Sequence, residues 1–149
     1  MRIEPCLLSL IFAGPALAAP GTVLMPENPA ARAQQEQYGY AEAVIVGDTI
    51  YLSGVIAGPA PGETSLEPAY ERAFAHIASI LARAGASWAD VADMTTFHTD
   101  LPAQIAACTA VKNRYVKAPF PAWTAIGISR LFEPTGITEI KVTAHRRPR

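Results

Sequence analysis

An amphipathic stripe at residues 67–84, with β-rich runs on both sides, most narrows what this chain can fold into. Tyr70, Ala73, Phe74, Ile77, Ile80, Leu81 and Ala84 recur at helical spacing. Pro68 suits a first helical turn, Thr64 or Ser65 stands where a cap belongs, and Gly85 is a natural stop. Such a helix has one apolar face and must bury it. Residues 40–46 and 49–55 read as strands, with Gly47-Asp48 between them as a two-residue hairpin signal. Residues 90–99 read as a third strand. Asp100 then caps a second helix with Pro102 in its first turn, and Leu101, Ile105, Cys108, Val111, Tyr115 and Val116 form its stripe. Pro119 and Pro121 end that helix. Residues 122–130 and 137–145 read as two more strands, joined through Glu133-Pro134-Thr135-Gly136. The order ββαβαββ predicts an α+β fold with both helices on one face of a sheet.

Length sets one domain with a real core, because 149 residues with 50% hydrophobic content bury enough surface. A net charge of −1 gives no reason to expect a nucleic-acid partner. The basic cluster Arg146, Arg147 and Arg149 sits at the C-terminus, where such runs are usually solvated. At the N-terminus, Arg2 precedes the apolar run 7–13, and Ala16-Leu17-Ala18 fits small-x-small cleavage. Residues 1–18 are therefore expected to be a signal peptide, too short to span a membrane. Residues 19–37 are expected to be an extended linker and residues 38–149 the folded domain. A periplasmic or secreted location follows, with no membrane attachment after cleavage. Removal of Cys6 would leave Cys108 alone, so no internal disulfide is expected.

Several chemistries lack support. His76, His98 and His145 show no metal-ligand spacing and are expected on the surface or a helix face. No serine sits in a Gly-x-Ser-x-Gly elbow, and no phosphate-cradling glycine loop is present. Cys108 falls on the buried helix stripe, where cysteine behaves as a small hydrophobe.

Five segments, in order and spacing, carry a resemblance. They are Tyr40-Ala41-Glu42-Ala43-Val44; Gly47-Asp48-Thr49-Ile50-Tyr51-Leu52-Ser53-Gly54; Ala84-Gly85-Ala86-Ser87-Trp88-Ala89-Asp90-Val91; Phe120-Pro121-Ala122; and Glu139-Ile140. Through them the chain resembles the RidA (YjgF-type) family of reactive-intermediate imine and enamine deaminases. The resemblance implies a chorismate-mutase-like subunit, a homotrimeric barrel and ligand clefts between subunits. It also implies hydrolysis of a C=N bond of small 2-imino acids without a cofactor. The family glutamate that orients or activates water falls on Glu139, and the first-strand tyrosine on Tyr40. Thr109 stands at the second-helix position, and Ser53, Gly54 and Ala125 complete the implied pocket wall. The arginine that grips the substrate carboxylate is replaced by Trp123, and a glutamine of the first strand is Glu42.

That replacement changes the expected substrate. A guanidinium meets a carboxylate through two donors, whereas indole has one N–H and a wide apolar face. Loss of a charged hydrogen bond of this kind costs about 1.5–3 kcal/mol. Arg130 would lie about 23 Å from Trp123 along a regular strand. Lys141 shares a face with Glu139 and is better placed to keep it ionised than to replace the clamp. Arg114 lies on the second helix. Trp123 reads either as packing that plugs the cleft or as a platform for a neutral, cationic or ring-containing imine. Glu139 reads either as a surface residue or as the catalyst. The leading expectation is an exported imine or enamine hydrolase whose substrate lacks the usual carboxylate. The alternatives are a trimeric small-ligand-binding protein without catalysis, and retained deamination of 2-iminopropanoate or 2-iminobutanoate.

Overall fold

The computed structural model describes residues 21–146, and in it the predicted apolar stripe lies on a sheet. The elements run β1 (Thr22–Leu24), α1 (Pro29–Tyr38), β2 (Ala43–Val46), β3 (Thr49–Leu52), β4 (Val55–Ala57), α2 (Glu67–Arg83), β5 (Val91–His98), α3 (Leu101–Tyr115), β6 (Ala122–Gly127) and β7 (Thr138–His145). A single 3-10 turn, Trp88–Asp90, leads into β5. The sheet order is β1-β2-β3-β7-β5-β6, with β4 also on β7. All pairs are antiparallel except β5–β6. This is an α+β fold with a mixed sheet backed by helices.

Burial separates the two faces. Tyr70, Ala73, Phe74, Ile77, Ile80 and Leu81 of α2 pack on Ile50, Leu52, Met94, Ile140, Val142 and Ala144 of the sheet. Each such aliphatic side chain contributes about 1.5–3 kcal/mol on full burial. Alternate strand residues point the other way, where Val46, Tyr51 and Ile126 are exposed.

The sequence reading needs correction in six places. Within the expected linker, β1 pairs with β2 and α1 is a true helix. The side chain of Asn28 caps α1 by accepting from the Ala30 and Ala31 amides at 2.9 and 3.1 Å. Gly39 closes it at φ 71°, a conformation that favours glycine. The expected strand 49–55 breaks at Ser53-Gly54 into β3 and β4, which pair with different stretches of β7. Leu66 holds the cap position of α2 and makes no side-chain cap bond, so neither Thr64 nor Ser65 caps it. The strand expected at 122–130 ends at Gly127. On α3, Gln104 and Lys112 are buried where Leu101 and Ile105 were expected. Asp100 does cap α3, accepting from the Ala103 amide at 3.2 Å. His98 is not on a surface at all. The proposed signal segment lies outside the described residues. No helix among those described is long and apolar enough to cross a membrane.

Polar side chains thread the apolar layer and fix β6 to it. Trp123 Nε1 donates to Thr96 Oγ1 at 3.1 Å. Thr96 Oγ1 lies 3.0 Å from His98 Nε2. His98 Nδ1 lies 3.0 Å from Thr138 Oγ1, which meets the Tyr70 hydroxyl at 2.7 Å and donates to Gln104 Oε1 at 3.3 Å. A neutral imidazole satisfies all five contacts when Thr138 donates to Gln104 and accepts from Tyr70 and from His98 Nδ1–H, while Thr96 accepts the indole proton and donates to His98 Nε2. Burial favours this neutral ring over the charged form. Burial lowers its pKa below the ordinary 6.5, and burial raises that of the Tyr70 phenol to about 12.

A pH dependence of stability follows. The unfolded chain takes up a proton at His98 as pH falls through 6.5, while the folded chain resists it. Stability attributable to His98 is therefore complete above 6.5 and is lost as pH falls from there towards the depressed folded pKa. One proton bounds this loss at about 1.4 kcal/mol per pH unit below 6.5. Urea midpoints of the wild type and His98→Asn between about pH 7.5 and 5.5 check it. The variant should be less stable at pH 7.5 but show a shallower decline. Equal slopes would refute the assignment.

Candidate functional site

The break between β3 and β4 builds the first half of the site. Ser53 donates through Oγ to the Ala41 carbonyl at 2.6 Å, and its amide reaches the Glu42 carbonyl at 3.0 Å. These bonds hold the segment carrying Tyr40 against the sheet. Tyr40 precedes β2 rather than lying on it. Gly54 then passes directly beneath Glu139. A Cβ at position 54 would lie 1.8 Å from Glu139 Oε1 and 2.6 Å from its Cγ. Only glycine permits that approach. Tyr38, Tyr40, Ser53, Gly54, Ile56, Phe132 and Glu139 enclose a hollow of about 430 Å³. The Tyr38 and Phe132 rings meet edge to face at 5.3 Å and form its rim.

Among the described residues, no hydrogen bond or ion pair engages the half-buried Glu139 carboxylate. Lys141, expected to keep it ionised, instead directs Nζ to the Leu52 carbonyl at 3.4 Å. Glu42 is buried, paired with Arg83, and contacts His76 Nε2 at 3.2 Å. With Tyr40, Ser53 and Gly54 it also lines an adjoining hollow of about 310 Å³, so Arg83 balances its charge beside the site.

The second half lies at the opposite edge of the sheet. Thr109, Lys112, Asn113 and Val116 of α3, with Met94, Phe120, Pro121 and Trp123, line a hollow of about 320 Å³. The indole is held at two points, by its bond to Thr96 and by Lys112 Nζ at 4.6 Å from the ring centroid. One ring face therefore carries an ammonium rather than open space. Ala125 is exposed on β6 opposite Thr96 and lines neither hollow.

These halves do not meet within one chain. Trp123 pairs in register with Met94, whose side chain is on the helix-covered face. Glu139 pairs with Phe97, on the other face. Two strand spacings and three residues along the strand separate the two positions by roughly 14 Å, on opposite faces. Of the residues expected to form one pocket, Tyr40, Ser53, Gly54 and Glu139 are together, and Thr109 and Trp123 are together.

Sequence reasoning missed Tyr38, Phe132 and Lys112. Tyr38 ends a helix whose signals were legible in Asn28-Pro29 and the Gln- and Ala-rich run after it. Phe132 lies in an irregular loop, where no periodicity marks a side chain. Lys112 was legible only as a polar residue on α3, one position beyond the buried Val111. No cluster of three or more His, Cys, Asp or Glu side chains suited to a metal occurs among the described residues. Cys108 is wholly buried, and burial raises its thiol pKa to about 11, so it is not a thiolate nucleophile.

Comparison with known proteins agrees with this architecture. The family model described as Endoribonuclease L-PSP matches residues 30–146. The RutC family protein YjgH of Escherichia coli strain K12 is 34% identical over 98 residues, covering 64% of this chain and 75% of that protein. The 2-iminobutanoate/2-iminopropanoate deaminase of Dermatophagoides farinae is 29% identical over 105 residues, covering 62% of this chain and 74% of that protein. The solved structure of protein YJGH superposes with a TM-score of 0.73 at 28% identity, covering 88% of this chain and all of that one. The chain thus belongs to the Endoribonuclease L-PSP family, that of the YjgF and RidA proteins.

Proposed function

We propose that this protein is a cofactor-independent hydrolase of a reactive imine or enamine, with its sites completed between copies of the chain in a homotrimer. The observation that carries the reading is the unpartnered Glu139 carboxylate lying on Gly54 inside a hollow edged by tyrosines. A carboxylate so held can take a proton from water as that water attacks the imine carbon. With the imine protonated, attack gives a tetrahedral carbon bearing the hydroxyl and the amine; Glu139 then returns its proton to the amine, and ammonia leaves as the hydroxyl gives its proton to the freed carboxylate and the carbonyl forms. Tyr40 and the Ser53-Gly54 backbone bound the space in which this happens. Likeness to a relative named as a 2-imino acid deaminase supports the reaction class.

The preferred substrate differs from the small 2-imino acids. Without a guanidinium at position 123, no planar fork is available for two-point binding of a carboxylate. A second reading, a ligand-binding protein without catalysis, draws support from the way Trp123 is pinned on its N–H and on one face. An N-terminal leader would place either activity outside the cytoplasm.

Four outcomes test the hydrolase reading. Purified full-domain protein should sediment as three chains, and a monomer would leave both half-sites incomplete. Imines generated in situ by an amino-acid oxidase should lose ammonia faster with the protein present, with ring-bearing substrates favoured over 2-iminopropanoate. Glu139→Gln should lower kcat by about 10²-fold or more with little change in stability. Gly54→Ala should displace the same carboxylate and lower kcat similarly, while far-ultraviolet dichroism stays native. If no imine in a broad panel responds to the protein or to Glu139→Gln, the binding-protein reading replaces this one.

A further inference from the structure

A buried lysine with no carboxylate beside it is the most unusual charge in the molecule. Lys112 is only 8% exposed. Its Nζ donates to Asn113 Oδ1 at 2.9 Å and lies 4.6 Å from the Trp123 ring centroid. Among the described residues, no carboxylate comes within ion-pair distance of it, although most other buried or half-buried charges are paired. An ammonium has three donors, and one is used by Asn113. Burial of a charge is unfavourable unless hydrogen bonds and an opposite charge compensate it. The indole face offers a partial compensation through its negative quadrupole. The remaining donors are beside the 320 Å³ hollow that Lys112 itself lines with Thr109, Asn113 and Trp123.

We infer that Lys112 is an anion-gripping residue for a ligand carboxylate, and so determines the substrate class. This rests on the reading of the hollow as half of a ligand site, but not on catalysis. The indole acts as the floor that positions the ammonium. Thr96 fixes the indole through its N–H, and the His98 chain fixes Thr96, so the charge is carried on a rigid base. The contact differs in kind from a guanidinium clamp. An ammonium is a compact point charge that binds one carboxylate oxygen strongly and leaves the plane of the group free to rotate. The site therefore selects for the presence of a single negative charge and discriminates weakly on its orientation. A 2-imino acid with a bulkier or ring-bearing body fits this description. A neutral or cationic imine, the sequence-based expectation, does not.

Binding measurements on the assembled protein test the assignment without requiring turnover. The probes are benzoylformate, which has the ring, the trigonal carbonyl carbon and the carboxylate, and its neutral methyl ester. Wild type should bind the acid about tenfold to a hundredfold more tightly than the ester by calorimetry. Lys112→Met and Lys112→Gln should erase that ratio, and Lys112→Arg should keep most of it. Dichroism and sedimentation confirm which variants remain folded and assembled. The absence of a carboxylate preference in wild type overturns the proposal irrespective of how the variants fold. Survival of the preference in a folded Lys112→Gln protein also overturns it. Dissociation of the assembly in both neutral variants would show that the ammonium pairs with a carboxylate of a neighbouring copy, and would overturn it as well. A preserved preference in wild type with no imine turnover defeats the hydrolase reading alone and leaves the anion site standing.

Discussion

A β-strand sends successive side chains to opposite faces, and this alternation governs everything functional about the chain. Glu139 and Trp123 belong to one sheet, yet one faces away from the helices and the other towards them. No rotamer change brings them together, because the constraint is in the backbone. A carboxylate able to activate water and a cation able to hold an anion are both present, each beside its own hollow. A substrate of ordinary size reaches both only if a second copy presents its complementary half. The proposed assembly is thus the simplest arrangement in which each half-site has a use. The exposed Val46, Tyr51 and Ile126 on the helix-free face fit the same picture, since an apolar face of this kind favours burial against another surface.

The core of the fold was legible because its signals are local and redundant. The stripe from Tyr70 to Leu81 has one helical face, Asp100 and Pro102 mark a helix start, and Gly47-Asp48 permits a tight turn with Gly47 at φ 59°. The elements that were missed lack such redundancy. With three residues each, β1 and β4 are too short for alternation to register, and they exist because β2 and β7 offer them open edges. The exposed helix α1 has no buried residue, so no hydrophobic period announces it, and its capping residue was the sole strong sign. Glu42 stands where the resemblance places a glutamine, and it does line a hollow, but Arg83 lies forty-one residues away in sequence and only the fold reveals that it pairs with the charge.

The site was half legible for a related reason. Motif positions identified Tyr40, Ser53, Gly54 and Glu139, whose proximity depends on one strand break. They also identified Trp123, yet gave no hint of what lies on it. A lysine on α3 between a core valine and a polar asparagine reads as a solvated side chain. Its burial depends on the indole at position 123 being present to receive it. The two residues are eleven apart and belong to different elements, so neither predicts the other from sequence. His98 is the same case on the polar side. Tyr70 of α2, Gln104 of α3 and Thr96 of β5 surround Thr138 and His98, and only their convergence makes a buried imidazole tolerable.

Loss of an arginine from a strand therefore need not empty a pocket of positive charge. The side chain that replaces it can serve as a surface on which a helix lays down a different cation. The exchange has consequences that differ by link in the chain of causes. At the level of packing, the indole lies against the core and its N–H joins the polar chain at Thr96. At the level of electrostatics, an ammonium offers a concentrated point of charge with fewer directional demands than a delocalised fork. At the level of recognition, the proposed Lys112 contact would read a charge at one point instead of a carboxylate plane at two, and would leave more space for the body of a ligand. Under the proposed assignment of Lys112, such a site would keep the sign of its ligand while relaxing its shape, which would fit the proposed role of Glu139 to an indole at position 123.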